Sequence, residues 1–520
     1  MATTQTPIRP PIAPPDWSPA QNEAARKMTV VWVMTGGILL ALLAFVGLVL
    51  RLTQATGVLP NQWFYALLTL HGAGMVAVVL MALAMTVWAL LRSELPLRNW
   101  VSMTIYSLTL LAGVLVIVAT IGGKFGTGWT FLYPLPEHPG PIPGWSTNWT
   151  YLYLIAVALV ALSFAIWGVE ILRAGIQRFG NPGRMFGLDI VTGRSKPGDP
   201  NTTSPTIVAA GVMAVEGIFT VIPGAIVVIL MIINNADPSV HWRALFVKEL
   251  IYFSGHMLVN FEIYLGAAIA YAVLPVYAKR PWPAGKTLII AWWSLMVLII
   301  LPYWHHLYMD FVQPAGLSIM GQIGSYVSAL PSIVVTIFGG VLIVYRSGIK
   351  WSPAPLFIFA GFAGWTIGGT GALIDSTPSL NEYLHNTLWV PGHFHTYMAL
   401  GAVMFLLGGV YFATPLLTGR PLNERVGSIG QRFILVGGWI VVLTFFASGA
   451  MSIPRRYAHV PIPKFYEAAT AGLVGACIAA VGVLLIAGDV LRVYLPSIKS
   501  ILPPPPTPAP DEPAPVGEPI

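Results

Sequence analysis

The chain has 520 residues, of which 56% are hydrophobic and only 9% are charged. A typical soluble domain carries about 25% charged residues, so a water-soluble fold is excluded. With 18 Trp, 19 Tyr and 23 Phe, low-complexity disorder is excluded for all but the chain ends. Only helices or closed barrels satisfy backbone polar groups in lipid, and apolar runs of about 20 to 30 residues suit helices. The composition therefore predicts an all-α integral membrane protein.

Twelve apolar segments follow one another along the chain. They lie near residues 29–53, 62–91, 98–122, 149–174, 204–236, 245–278, 285–309, 317–346, 353–374, 387–417, 427–450 and 466–494. Twelve spans place both termini on one side, and that side holds 20 of the 27 Lys and Arg residues. The positive-inside rule then predicts cytoplasmic termini and a multi-pass protein of the cell inner membrane. We predict a polar tail over residues 1–28, one domain over residues 29–494 and a Pro-rich tail over residues 495–520.

Histidines are the most informative residues in these spans. Six of the ten lie within a span or at its edge, and from the span directions they share one depth in the outer half of the membrane. These are His71, His256, His305, His306, His393 and His395. A lone histidine in a membrane helix often only packs, but polar groups at this depth are costly and mark functional sites. A set at a shared depth predicts metal ligands.

The spacing of the histidines in the tenth span predicts two separate metal sites. His393 and His395 are two residues apart, so on a helix they point about 200° away from each other. They cannot easily bind one metal, but they can bind two metals on opposite sides of the helix. One of them pairs with His71 across the bundle in a bis-histidine site. The other leaves its metal with an open face.

A third site is predicted where the seventh span ends. His305 and His306 are adjacent at a helix terminus, where an irregular backbone lets both reach one ion. Together with His256 they predict a three-imidazole site, which suits copper or iron. An open-faced haem beside a three-histidine metal predicts the reduction of a small diatomic molecule.

Six motifs accompany these residues in chain order. They are LHGAGM at His71, GWTFLYPL after the third span, GHMLVNFEIY at His256, YWHHLYMDF, HNTLWVPGHFH and IPRRY. The chain resembles subunit I of the haem-copper oxidoreductase superfamily over all twelve spans, and HNTLWVPGHFH is most similar to the B-type oxidases and their relatives. The resemblance implies a twelve-helix bundle of the cytochrome oxidase subunit I type.

The resemblance also implies the cofactors and their ligands. His71 and His395 would be the axial ligands of a low-spin haem, and His393 the proximal ligand of a high-spin haem. The three-imidazole site would bind copper B, or a non-haem iron as in nitric oxide reductases. The type of each haem stays open.

Two arginines would accompany the haems. Arg455 and Arg456 would pair with haem propionates, because adjacent guanidiniums on the outer side, where basic residues are scarce, require anionic partners. A contact with lipid head groups is the alternative for this pair. His385 resembles a residue near a propionate.

Position 260 departs from the pattern of most oxygen reductases. There a tyrosine follows the helix 6 histidine by four residues, is cross-linked to it and supplies an electron and a proton for O–O cleavage. Here the residue is Asn260, residues 285–301 contain no tyrosine, and Tyr303 and Tyr264 are misplaced. The first hypothesis is therefore a nitric oxide reductase, and an oxygen-reducing cytochrome c oxidase is the second. Asn260 is either a metal ligand or a hydrogen-bonding partner of a ligand.

Three carboxylates are candidates for proton transfer. Glu216 and Glu262 lie within apolar spans, and Glu249 lies seven residues before His256 near the outer side. Ionisable groups at membrane depth suggest proton relays, although a structural role is at least as plausible for each. A route through Glu249 would deliver protons from outside.

The single cysteine, Cys477, limits what the chain holds by itself. It allows neither a dinuclear copper site nor covalent haem attachment. Electrons are therefore expected from a second subunit, a cupredoxin or a c-type cytochrome, and from cytochrome c or a similar donor. Nucleic acid is not expected as a partner. A transporter with incidental histidines and a cytochrome b are the non-family alternatives.

Overall fold

Twelve long helices form a bundle in the computed structural model, which describes residues 19–129, 133–134, 144–199, 201–283, 285–309, 314–459 and 461–499. Within these ranges the helices long and apolar enough to cross a membrane are α1 Pro19–Thr56, α2 Asn61–Leu91, α3 Asn99–Gly122, α4 Thr147–Phe179, α5 Pro205–Ala236, α6 Ala244–Ala278, α7 Lys286–Leu307, α8 Ala315–Val344, α9 Pro353–Asp375, α10 Trp389–Thr418, α11 Glu424–Ala450 and α12 Pro463–Lys499. Short helical turns at Pro182–Met185, Leu188–Val191 and Pro378–Leu384 join some of them. The predicted twelve-helix, all-α architecture is confirmed.

The first and last helices extend further than the apolar segments predict. Helix α1 already begins at Pro19, and α12 continues to Lys499, so the boundaries predicted at residues 28 and 495 lie inside helices. Polar contacts explain the extension of α1, because Arg26 pairs with Glu23 at 2.6 Å and donates to the carbonyl of Leu417 at 2.8 Å. The remaining parts of both predicted tails lie outside the described residues.

Three helices occupy the centre of the bundle. The central stretches of α2, α6 and α10 are 67%, 78% and 72% buried, whereas those of the other nine described spans are 17% to 44% buried. These three helices carry His71, His256, His393 and His395. Four of the six predicted ligands therefore lie on the helices most shielded from lipid.

Departures from α-helical geometry occur next to the histidines. Helix α7 ends in a 3₁₀ segment, Leu301–Leu307, which contains Pro302 and the His305/His306 pair. Proline lacks the N–H that an α-helix would use there, which favours the irregular turn. Helix α10 contains a π segment, Met398–Ala402, directly after its histidines. Such π segments are frequent at functional sites.

Glycines bring α9 directly against α10. A Cβ at Gly364 would collide with the carbonyl of Leu400 in the π segment, and a Cβ at Gly368 would lie 3.0 Å from the backbone N of Tyr397. Small residues allow this close backbone approach between membrane helices. As a result the carbonyl of Gly368 reaches His393 of α10.

Candidate metal and haem site

The structure brings His256, His305 and His306 together between α6 and α7. One ligand nitrogen from each ring lies within 4.8 Å of the others. The ring centroids of His305 and His306 are 4.2 Å apart, and each lies 5.3–5.4 Å from that of His256. Such spacing fits three imidazoles converging on one ion, which suits copper or iron. The 3₁₀ end of α7 is what lets adjacent residues share the site.

Neighbouring side chains hold these rings in place. Nδ1 of His305 donates to Ser325 Oγ at 2.9 Å, and this hydroxyl donates onward to the carbonyl of Gly321 at 2.6 Å. The hydroxyl therefore accepts from the ring, which leaves Nε2 of His305 for a metal. The ring of Tyr252 stacks on His306, with centroids 5.2 Å apart and an interplanar angle of 15°. Partners of this kind orient metal-binding histidines.

Asn260 lies one turn after His256 and contacts the ring nitrogen opposite the one that faces His306. Nδ1 of His256 is 3.2 Å from Nε2 of His306, whereas the amide nitrogen of Asn260 is 3.1 Å from Nε2 of His256. The same amide nitrogen donates to the backbone carbonyl of His256 at 2.9 Å, and the amide oxygen accepts from the hydroxyl of Tyr397 at 3.2 Å. Of the two roles left open, this geometry favours a hydrogen-bonding partner of the ligand over a metal ligand.

His71 and His395 face each other across the bundle. Their rings are nearly parallel, at 12°, with centroids 6.2 Å apart. Two metal–nitrogen bonds of about 2 Å each, plus the distance from each ring centre to its nitrogen, add to about 6 Å. Nδ1 of His71 donates to the carbonyl of Leu43 at 2.9 Å, and Nδ1 of His395 to that of Pro391 at 2.7 Å. Each Nε2 therefore remains available to one metal between the rings.

His393 contacts α9, whereas His395 lines the cavity that is also lined by His71. Nδ1 of His393 donates to the carbonyl of Gly368 at 2.8 Å, which again leaves Nε2 available. A Cβ at Gly371 would lie 3.2 Å from Nδ1 of His393, so α9 packs closely against this ring. Contacts connect His393 to the three-imidazole site, because its ring centroid lies 6.0 Å from that of Tyr397, whose hydroxyl bonds to Asn260, and the amide nitrogen of Asn260 lies 3.1 Å from Nε2 of His256. The two predicted neighbouring sites are therefore adjacent in space.

A cavity of about 660 Å³ lies among α1, α2, α10, α11 and α12. His71, His395, Arg455 and Arg456 are among its lining residues, and most of the others are apolar. The Nε of Arg455 is buried and has no hydrogen-bond partner among the described residues. An apolar cavity lined by two facing imidazoles and by an arginine whose buried Nε has no partner among the described residues fits a haem with carboxylate substituents.

Arg51 of α1 lines the same cavity and was missed by the sequence reasoning. Its guanidinium lies 4.6 Å from the centroid of Phe445, which in turn packs on His395 at 5.3 Å. The side chain also donates to Thr444 Oγ1 at 3.1 Å, while its Nε is buried without a partner among the described residues. The available signal was an arginine inside the apolar run LVLRL, on the side where basic residues are scarce.

His385 lies beside the arginine segment rather than in the cavity lining. It follows the short helix Pro378–Leu384, and the next residues pair with the segment before Arg455 through the bridge between Thr387 and Pro454. The backbone N–H of Arg455 donates to the carbonyl of Asn386 at 2.8 Å. This pairing brings the segment that contains His385 next to the segment that contains Arg455.

The three candidate carboxylates occupy different environments. Glu216 and Glu262 are 2% and 0% exposed, and neither has a hydrogen-bond partner for its carboxyl oxygens among the described residues. Glu249 is half-buried near the start of α6. None of them joins the three-imidazole site, which contains only histidines among the described His, Cys, Asp and Glu.

The fold and these sites define a class: a multi-pass helical membrane protein whose most buried helices bear clustered imidazoles. The sequence model of the family described as cytochrome c and quinol oxidase polypeptide I matches residues 27–485. Because this match covers most of the sequence, the chain belongs to that family.

Relatives with established names share limited identity with the chain. Cytochrome c oxidase subunit 1 of Bacillus subtilis is 24% identical over 489 residues, which cover 90% of this chain and 74% of that protein. The Thermus thermophilus protein of the same name is 26% identical over 281 residues (51% and 48%), and that of Cereibacter sphaeroides 30% over 258 residues (46% and 43%). The chain thus spans about half the length of the latter two relatives.

The fold is also similar to that of a haem-copper terminal oxidase dimer solved by cryo-electron microscopy. The TM-score is 0.76, and the match covers 91% of this chain and 84% of that one. At 16% sequence identity the likeness shows the shared fold.

Proposed function

We propose that the chain is the catalytic subunit of a membrane-bound terminal reductase that converts nitric oxide to nitrous oxide. In this proposal His71 and His395 hold a low-spin haem, His393 holds a high-spin haem, and the three-imidazole site holds copper or non-haem iron. The observation that carries the choice of substrate is Asn260, which occupies the place beside Nε2 of His256 where an oxygen reductase needs a phenol.

The chemistry of the donor groups supports these assignments. Imidazole nitrogen suits both iron and copper. Nδ1 of His71, His393 and His395 each donates to a backbone carbonyl, which fixes the ring and strengthens Nε2 as a ligand. The buried Nε of Arg455 provides a charge-assisted donor for a haem carboxylate. When bound, the high-spin haem and its neighbouring metal supply two adjacent sites at which small molecules can be reduced.

The reaction places modest demands on the polypeptide. Two NO molecules, two electrons and two protons give one N₂O and one water. The chain must therefore orient the ligands, exclude bulk water and supply two protons. Glu249 is the candidate for protons from outside, because it lies seven residues, about two turns, before His256 on the same helix. Glu216 and Glu262 are the candidates within the bundle.

Among the described residues, no phenol takes the position that O–O cleavage requires in the oxygen reductases. Tyr264 lies two turns after His256 and accepts a hydrogen bond from Ser332 Oγ at 3.2 Å. Tyr303 packs against Trp304, with centroids 4.5 Å apart, and against Phe253. The contact to Nε2 of His256 comes from an amide, which cannot donate an electron at the potentials of this chemistry. The arrangement supports the two-electron reaction.

Two observations favour the alternative, a cytochrome c oxidase that reduces O₂ to water. The hydroxyl of Tyr397 lies one hydrogen bond beyond Asn260, so a buried phenol is present although it does not touch His256. The named relatives are also cytochrome c oxidases. NO remains the first proposal because Asn260 separates this phenol from the imidazole.

Electron delivery is proposed to involve a partner. Cys477 is the only cysteine, so the chain has no thiolate pair for a copper centre. A second subunit of the cupredoxin or cytochrome c type would therefore deliver electrons at the outer side of the cell inner membrane. Cytochrome c or a similar protein would be its donor.

The deciding experiment compares both gases with one preparation. The complex purified from membranes is given reduced cytochrome c and either NO or O₂, with N₂O measured by gas chromatography and O₂ uptake by an electrode. We expect stoichiometric N₂O and slow O₂ consumption, and neither from the His306→Ala variant. Rapid O₂ turnover without N₂O would establish the alternative, and a membrane fraction without haem absorbance would refute both.

A further inference from the structure

Two helices of the bundle each carry a polar residue one turn beyond a candidate metal ligand. On α6, Asn260 follows His256 by four residues, and on α10, Tyr397 follows His393 by four residues. Residues four apart share one face of a helix, and the ring centroids of His393 and Tyr397 are 6.0 Å apart. The hydroxyl of Tyr397 donates to the amide oxygen of Asn260 at 3.2 Å. The two polar residues therefore link the two ligand-bearing faces.

We infer that the hydrogen bond between Tyr397 and Asn260 positions His256 relative to His393, and so sets the spacing between the non-haem metal and the high-spin haem. Both residues are positioning residues, since they act through the histidines. The inference goes beyond the proposed function, because the spacing of the two metals matters whether the enzyme reduces NO or O₂.

The contacts of Asn260 leave its side chain little freedom. Its amide nitrogen contacts both the backbone carbonyl and Nε2 of His256, at 2.9 and 3.1 Å, and its amide oxygen accepts from Tyr397. With its nitrogen donating to the backbone carbonyl of His256 and its oxygen accepting from Tyr397, the amide couples the position of His256 on α6 to the position of α10. Without the hydroxyl, the oxygen loses that restraint and the ring loses a fixed partner.

The position of Tyr397 is in turn fixed by α9. Gly368 has no side chain, so its backbone approaches that of Tyr397, and its carbonyl accepts the hydrogen bond from His393. Tyr397 itself is only 8% exposed, and its hydroxyl lies where water is scarce. A buried hydroxyl without a partner is costly, so the hydrogen bond to Asn260 is strongly favoured. The π segment Met398–Ala402 begins at the next residue.

The test uses the intact complex with both haems and compares Tyr397→Phe, Asn260→Ala and the double variant. The control is Tyr411→Phe, because Tyr411 lies on the same helix, is buried, and has no hydrogen-bond partner for its hydroxyl among the described residues. The readouts are haem and metal content, the infrared stretching frequency of CO bound to the reduced high-spin haem, and turnover. The CO frequency responds to the neighbouring metal and does not depend on catalysis.

We expect Tyr397→Phe to retain both haems and the non-haem metal, to shift or split the CO band, and to lower turnover by about three- to tenfold, the effect of one hydrogen bond. Asn260→Ala should shift the band likewise, and the double variant should add little, since coupled residues are not additive. The control should match the unmodified complex.

A CO band and a rate in Tyr397→Phe equal to those of the control would overturn the inference, as would fully additive effects in the double variant. If Tyr397→Phe fails to retain haem, Asn260→Ala decides the matter from the other partner. An unchanged CO band in that variant would equally overturn it.

Discussion

Replacement of Gly47 by alanine tests the bis-histidine site by steric means alone. Gly47 lies on α1 opposite the ring of His71, and a Cβ built there would lie 2.7 Å from Cε1 of that ring and 3.1 Å from Nδ1. The substitution adds one methyl group and no charge. Away from the site, alanine in a helix is more stable than glycine by up to about 1 kcal/mol.

The size of the expected displacement follows from these distances. Carbon atoms prefer separations of about 3.5–4.0 Å, so the ring of His71 must move away by about 1 Å. Metal–nitrogen distances tolerate only about 0.2 Å. The overpacking is expected to cost about 1–3 kcal/mol, which the protein relieves most easily by turning the imidazole. His71 would then lose its place opposite His395.

The assay is the reduced-minus-oxidised spectrum of purified Gly47→Ala, with haem content measured on the same sample. We expect the low-spin signal to be lost or strongly altered while the non-haem metal remains bound. The control is Gly113→Ala on α3, which lies outside the cavity lining, whose Cβ would meet nothing within 4 Å among the described residues, and which should leave the spectrum unchanged. An unaltered low-spin spectrum in Gly47→Ala would refute the placement of His71 as an axial ligand.

Three further predictions concern the non-haem metal and proton delivery. His306→Ala should lose the non-haem metal by elemental analysis but keep the bis-histidine haem spectrum, and retention of the metal would contradict the three-imidazole site. Ser325→Ala removes the hydroxyl that orients His305 and should weaken metal binding by about 10- to 100-fold when measured by dialysis against a chelator; unchanged binding would show that this contact is dispensable. Glu249→Gln should slow NO turnover without altering the haem spectrum, and an unchanged rate would exclude this carboxylate as the outer proton route.

Much of the fold could be predicted because each helix in lipid must form its backbone hydrogen bonds within itself. Apolar length therefore reveals the spans directly. The ends of α1 and α12 could not be placed this way, since residues beyond the apolar run leave the lipid and remain helical through local contacts such as the Glu23–Arg26 pair. The membrane therefore determines where the spans lie, whereas side-chain contacts determine where the helices end.

The convergence of the histidines could also be predicted, because a shared depth constrains residues that are far apart in sequence. What sequence could not reveal are contacts determined by helix rotation. Tyr397 and Asn260 are 137 residues apart, and nothing in either motif indicates that they meet. Arg51 reaches His395 through Phe445 of α11, a contact that depends on how three helices pack.

Burial and polarity together explain why the site lies where it does. A polar side chain facing lipid is costly, so helices that carry ligands are most stable where other helices surround them. Helices α2, α6 and α10 satisfy this condition, and α9, which contacts α10 through Gly364 and Gly368, supplies a carbonyl to His393. The same requirement applies to Asn260 and Tyr397, because each is the partner of the other in an apolar interior. Replacing either residue alone leaves the other without its partner. Such a replacement should therefore also disturb the histidines that are expected to bind the metals.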